Sequence, residues 1–335
     1  MVKRKALVTG CCGFIGSNLV HRLIADGWAV DGVDDMSSGN LAFLEPLNVR
    51  TIPANLLYFY EKKEQQDTPD VLMIQSDFAH ENILSRIKTG MYDVIFHLAA
   101  EPRVSYSVER PVETTETNIL KTVGLFYYAV GNVDKVVFSS SAAVYGEISG
   151  DFGKLPVSES FSSLPKSPYA LQKKVCEDFA KLFHELYGLN VICLRYFNVY
   201  GPRQLGESPY STVISAWCHK IKNNEPLRLD GDGEQTRDMV FVDDIVNANV
   251  LASEMNTPVD GTAINVATGV TYSNNEILAR FIDRFGDVSI THAPERSGDI
   301  RHISADVSAA DELLDYSSKT SLDEGLEKTW NWWGI

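Results

Sequence analysis

Short apolar runs alternate with amphipathic stretches from the start of the chain. Lys5–Thr9 reads as a brief strand and Gly10–Gly16 as a turn. Phe14, Ile15, Leu19, Val20, Leu23 and Ile24 then recur at helical spacing until Gly27. Ala29–Val33 reads as a second strand, and strand-like runs return at Val71–Ile74, Val94–Phe96, Val136–Phe138 and Val191–Leu194. Helical spacing falls over Asn118–Val130 and Pro168–Tyr187. Such alternation predicts an α/β fold built on a doubly wound parallel sheet. Residues 36–70 break the rhythm, with Pro46, Pro53 and the run EKKEQQD, and suggest a short extra helix. After about residue 200 the helical segments near 211–223, 274–285 and 321–331 are separated by turn-rich loops such as LDGDGEQT, which predicts a smaller second domain. Trp330, Trp332 and Trp333 read as a terminal helix pinned by aromatic burial, a binding platform being the alternative.

Composition narrows the class. With 335 residues, 44% hydrophobic and 22% charged, the chain has material for one large or two moderate domains. A formal charge of −15 argues against nucleic acid or an anionic membrane as partner, since both need a basic surface. No apolar run approaches the roughly 18 residues of a membrane span, and MVKRKALVTG reads as mature sequence rather than a signal peptide. Five cysteines without metal-ligand or disulfide spacing suggest free thiols in a reducing cytoplasm and no metal site.

Two stretches carry chemistry. TGCCGFIG (9–16) follows a strand and opens a helix. Gly10 suits the tight turn, Gly13 the approach of a pyrophosphate, and Gly16 close helix–sheet packing. Asp34, at the end of the second strand, would accept bonds from ribose hydroxyls and repel a 2′-phosphate, which favours NAD over NADP. Asp77 is either an adenine contact or a strand-end cap. SPYALQKK (167–174) opens a helix with Ser167 as N-cap and Pro168 in the first turn, and Gly188 follows its end. Tyr169 and Lys173 then share one face, while Leu171, Val175, Phe179, Leu182 and Leu186 form an apolar stripe. A tyrosine with reference pKa near 10 is a poor base alone; a nearby ammonium and an oxidised nicotinamide would both favour its phenolate.

TGCCGFIG, HLAA (97–100), SSSAAVYG (139–146), YALQK and LRYFNVYGPR (194–203) together resemble the extended short-chain dehydrogenase/reductase family, specifically its nucleotide-sugar 4-epimerases. The resemblance runs from about residue 4 to the C-terminus. It implies a Rossmann-type NAD-binding domain over 1–190, to which segments near 191–198 and 236–262 return, and a smaller α/β nucleotide-sugar domain mainly over 199–335. It implies that Ser141 is the catalytic hydroxyl, Tyr169 the base, and Lys173 the residue that binds the nicotinamide ribose and lowers the tyrosine pKa. Cofactor contacts would fall further on Phe14, Ile15, Phe78, Leu98, Ala99, Ala100, Asn118, Ser139 and Tyr196. A UDP-sugar would meet Asn198, Arg203, Gln204, Arg237, Arg296 and Asp299, arginine forks suiting a diphosphate. A homodimer through the Tyr/Lys helix and its neighbour is usual in the family.

The residues after Ser141 bear on the reaction. Dehydratases of the family carry Asp-Glu there, and decarboxylases usually Glu at the second position; this chain has Ala142 and Ala143. Methyl groups can neither protonate a departing hydroxyl nor abstract a proton. The expectation is therefore simple 4-epimerisation with tightly bound, recycled NAD. A dehydratase, a decarboxylase and, from another class, a non-catalytic NAD-binding regulator remain as alternatives. The sugar stays open between hexose and N-acetylhexosamine. Ile303 stands where the family gates the space beside the sugar, and Arg103 would suit a uronate carboxylate.

Overall fold

The computed structural model describes residues 3–61, 69–146, 155–207, 211–255, 259–295 and 301–335. Strands in chain order are β1 Lys5–Thr9, β2 Ala29–Asp34, β3 Val49–Pro53, β4 Val71–Gln75, β5 Val94–His97, β6 Lys135–Ser141, β7 Val191–Tyr196, β8 Asn198–Tyr200, β9 Leu227–Asp230, β10 Thr236–Phe241, β11 Asp260–Val266, β12 Thr271–Ser273 and β13 Ile290–Ala293. Eight of them form one sheet in the order β11-β7-β6-β5-β1-β2-β4-β3. The pairs β1–β2, β1–β5, β2–β4, β3–β4 and β5–β6 are all parallel. The order reverses between β1 and β5, the place where open α/β sheets bind dinucleotides.

Contacts divide the chain into two units. The first comprises 1–141, 167–195 and 246–264, and the second 142–166, 196–245 and 265–335. Residues 142–166 belong to the second unit although they lie within the first 190 residues of the chain. In the first unit, Leu7, Ile74, Ile95, Phe126 and Phe138 belong to one buried cluster under the sheet. The helices Phe14–Ala25 and Pro168–Tyr187 stand within a residue or two of their predicted bounds. The second helix has its Ser167 side chain on the Ala170 amide and Gly188 in the left-handed conformation, so both ends are satisfied as the caps require.

Two expectations need correction. Residues 36–70 hold not only a short helix, Leu57–Glu61, but also the edge strand β3. Within the Pro168–Tyr187 helix the predicted apolar stripe is not the buried face: Leu171, Leu182 and Leu186 are exposed, whereas Tyr169, Gln172, Lys173, Cys176 and Glu177 are buried.

The second unit has a three-stranded sheet, β12-β10-β8, and the pair β13-β9. Helices Val213–Lys222, Asn274–Phe285 and Leu322–Trp333 belong to it. Trp217 and Trp330 each meet the Phe281 ring with centroids 5.4 Å apart, and Trp330 and Trp333 are buried. Trp330 and Trp333 thus anchor their helix, whereas Trp332 is exposed.

Candidate active site

The chain leaves β1 through Gly10 in the left-handed conformation, φ 71°. A Cβ on Gly10 would lie 3.0 Å from the Ala99 nitrogen, and one on Gly16 only 2.0 Å from the Gly10 carbonyl oxygen. Turn, helix start and the segment after β5 are packed backbone to backbone, leaving no room for side chains. Gly13 is the N-cap of the Phe14–Ala25 helix. The first-turn amides of Phe14, Ile15 and Gly16 have no acceptor within their own helix, so with the helix dipole they suit a pyrophosphate.

Asp34 closes β2. Its Oδ2 accepts from the Cys12 amide and its Oδ1 from the Met36 amide, both at 2.9 Å. Each oxygen keeps acceptor capacity for a ribose hydroxyl. Burial raises the carboxyl's pKa, and those two amides oppose it. A Cβ at Gly39 would come within 2.7 Å of Asp34 Oδ1, so Gly39, which the glycine triplet does not reveal, keeps this carboxylate accessible. Donor atoms of Cys11, Cys12 and Asp34 lie within 4.8 Å of one another. The hydrogen bond shared with Cys12, then burial, pushes the Cys11 thiol up, and a protonated thiol is a poor metal ligand.

The other cofactor candidates fall into two kinds. Asp77 is engaged as a cap and an ion pair: Oδ1 accepts from the Ala79 amide at 2.8 Å and Oδ2 pairs with Lys121 at 2.6 Å. Phe78 is buried, its ring 4.8 Å from that of His97. Leu98, Ala99 and Ala100 follow β5 half-buried, and the Ala99 amide donates to Thr9 Oγ1 at 3.1 Å. Asn118 fastens this segment to the Pro168–Tyr187 helix. It accepts from the Glu101 amide at 2.8 Å and donates to the Glu101 carbonyl at 3.0 Å and to Gln172 Oε1 at 2.8 Å. Gln172 in turn donates to Thr114 and Thr115.

Tyr169, Lys173 and Ser141 meet in the first unit. The Tyr169 amide donates to Ser107 Oγ at 3.0 Å, which fixes the first turn of its helix. Burial pushes the Tyr169 phenol up to about 12, and its hydrogen bond with Ser141 pulls the other way. Lys173 is 3% exposed; its ammonium donates to the Ser139 carbonyl at 2.7 Å and stands 6.0 Å from the Tyr169 ring centroid. Burial lowers it to about 8, against Cys176, Cys193 and Glu177, which raise it. Burial is the largest influence on both groups: it favours neutral phenol and neutral amine. His97, bonded to Thr9 and Thr122, is held neutral by burial and by Lys173, at about 3. Gln172, Ser107, Thr9 and Glu177 carry no signal in the sequence, because their partners lie far along the chain.

The substrate candidates belong mostly to the second unit. Asn198 opens β8, opposite Met239 of β10. Arg203 adopts the left-handed conformation, φ 72°; burial lowers its pKa and Asp243 raises it. Gln204 is tied to the Val199 carbonyl at 3.0 Å and to Thr212. Arg237 lies on β10 and donates to the Thr236 carbonyl at 2.9 Å. Tyr196 and Ile303 are buried. Arg296 and Asp299 lie outside the described residues. In the first unit, Arg103 is held by both oxygens of Glu101, at 2.7 and 2.6 Å, with its guanidinium 4.5 Å from the Tyr106 ring centroid.

The chain is similar along most of its length to known proteins. The profile of the NAD dependent epimerase/dehydratase family matches residues 6–267. UDP-glucose 4-epimerase of Mycolicibacterium smegmatis is 35% identical over 330 residues, covering 97% of each chain. The structure of UDP-N-acetylglucosamine 4-epimerase from Methanobrevibacter ruminantium, in complex with UDP-N-acetylmuramic acid, matches with TM-score 0.86 at 36% identity, covering 99% of this chain and 98% of that one. That of UDP-glucuronic acid 4-epimerase from Bacillus cereus, in complex with UDP-glucuronic acid and NAD, matches with TM-score 0.81 at 30% identity, covering 98% and 99%. With a profile that spans most of its length and relatives this similar along nearly all of it, the chain belongs to the NAD dependent epimerase/dehydratase family.

Proposed function

We propose that this chain is a 4-epimerase of a neutral UDP-sugar, a hexose or an N-acetylhexosamine. The observation that carries the reading is the Ser141–Tyr169 contact at the end of β6, followed in sequence by two alanines where an eliminating enzyme needs acids. Tyr169, as phenolate, takes the proton from the sugar 4-hydroxyl while Ser141 shares the hydrogen bond to that oxygen. NAD would be held by the Gly10–Gly16 turn, Asp34 and Lys173, and would supply the hydride acceptor and donor that inversion at C4 requires. Lys173, as ammonium, favours the phenolate and binds the nicotinamide ribose. Tyr169 then returns its proton to O4, so the net reaction is an isomerisation. Asn198, Arg203, Arg237, Arg296 and Asp299 hold the nucleotide half, which keeps the 4-keto sugar from escaping.

Arg103 gives little support to a uronate. Both of its bonds to Glu101 use the fork that a substrate carboxylate would need, and the pair as a whole is neutral. Incubation with UDP-glucose, UDP-N-acetylglucosamine and UDP-glucuronate without added NAD, followed by proton NMR at H4, tests the reading. Inversion of a neutral sugar is expected. Loss of water or carbon dioxide would overturn it.

We also infer a homodimer through the outer face of the Pro168–Tyr187 helix. Leu171 and Leu186 are exposed there, Val112 is 82% exposed, and Val112, Ile119, Leu120, Val123 and Phe179 line an apolar groove of about 500 Å³. Monomers rarely leave such a patch to water. The five free cysteines, all buried, suit a reducing cytoplasm.

A further inference from the structure

A buried charge pair lies directly behind the acid–base set. Glu177, one turn beyond Lys173, is 1% exposed, and Arg195 on β7 is 4% exposed. Arg195 donates Nε to Glu177 Oε1 at 2.9 Å and Nη2 to Oε2 at 2.7 Å. Ser140 adds a third donor to Oε1, at 2.6 Å. Stability gives no account of such a pair, since apolar residues of similar volume often serve a core as well or better. Its place in the register does. Three consecutive residues of β6 meet three residues spaced four apart on one helix: Ser141 meets Tyr169, the Ser139 carbonyl meets Lys173, and Ser140 meets Glu177.

We propose that Glu177, clamped by Arg195, is the positioning residue of the acid–base set. Through Ser140 it fixes the end of β6, and so holds the Ser139 carbonyl on the Lys173 ammonium and the Ser141 hydroxyl against Tyr169. The proposal rests on the reading of Ser141, Tyr169 and Lys173 given above. Glu177 also supports the charge on Lys173. The groups that act on that ammonium are Tyr169, Cys176 and Glu177 on its own helix, Cys193 on β7 and His97 on β5. Burial pushes both thiols up and His97 is held neutral. The Glu177 carboxylate is therefore the countercharge on that face, with Arg195 behind it.

Ser140→Ala removes one hydrogen bond and leaves the charge pair intact. It is expected to lower kcat about tenfold, the scale of one charge-assisted bond, with KM and NAD content unchanged. Glu177→Gln leaves Arg195 without its countercharge. The Lys173 titration, followed by NMR in protein ¹⁵N-labelled at lysine, should then move its midpoint about one pH unit lower. Glu177→Asp keeps the charge but withdraws it by one carbon, so it should fall between the two, and it carries the same measurement if Glu177→Gln does not fold. A pair that serves packing alone would lower the melting temperature without moving the Lys173 midpoint or kcat. Unchanged midpoints in the Glu177 variants together with unchanged kcat in Ser140→Ala would overturn the proposal. The NMR midpoint needs no sugar, so a protein inert toward every UDP-sugar would sink the assigned reaction while Glu177 is still judged.

Discussion

The two faces of the Pro168–Tyr187 helix each mix polar and apolar side chains, against the usual arrangement. Toward the interior it presents Tyr169, Gln172, Lys173 and Glu177; toward solvent it presents Leu171, Leu182 and Leu186, the last 60% exposed. Ala170, Cys176, Ala180 and Phe183 share the inner face, and hydrophobic burial alone leaves the polar part of that face unexplained. What holds it is that the inward polar groups have partners: Gln172 with Asn118, Thr114 and Thr115, Lys173 with Ser139, and Glu177 with Arg195 and Ser140. A buried polar group without a partner is costly, whereas a satisfied network specifies one orientation. The inner face is thus held by satisfied polar partners, while the outer face leaves three leucines exposed.

The sharpest way to break the inner face chemically is Tyr169→Phe. Loss of the base should cut kcat by a factor of about 10² to 10⁴ while bound NAD is retained, read by turnover and cofactor content. A pH profile comes next. With Lys173 at about 8, kcat should fall about tenfold per pH unit above that value as the ammonium is lost. Stability moves the other way. The folded pKa lies below the free-lysine value, so from about 8 up to 10.5 the unfolded chain binds more protons, and this residue's contribution to stability rises with pH through that window. Gln172→Leu would test the network itself. It leaves Asn118 and two threonine hydroxyls without a shared partner and should cost about 1–3 kcal/mol by urea denaturation. The smallest effect on the subunit is expected outside: Leu186→Glu should shift sedimentation from dimer to monomer while changing subunit stability by no more than about 0.5 kcal/mol.

These faces also show where sequence reasoning works. Strands β1, β2, β4, β5, β6 and β7 are legible because buried parallel strands are short apolar runs. The edge strand β3, VRTIP, is half exposed along its length and ends in proline, so neither alternation nor apolar density marks it. The glycine turn and Asp34 can be read because their roles depend on backbone room and local order. Tyr169 and Ser141 emerge through the family resemblance, yet Gln172 and Glu177 do not. A glutamine or glutamate in a helix looks like solvated surface until the fold brings Asn118 or Arg195 across to it. The apolar stripe misled for the same reason in reverse, since periodicity shows which residues share a face but not which face is inward.

The first unit is assembled from residues 1–141, 167–195 and 246–264. A growing chain can pair β1 with β2 and β5 early, but the edge strand β11 is not made until residue 266. Completion of the sheet therefore waits on contacts of long sequence separation, which are slow to form. No single cut releases this unit whole. A fragment ending near residue 195 keeps Ser141, Tyr169 and Lys173 but leaves β7 without β11, an unpaired sheet edge that invites aggregation.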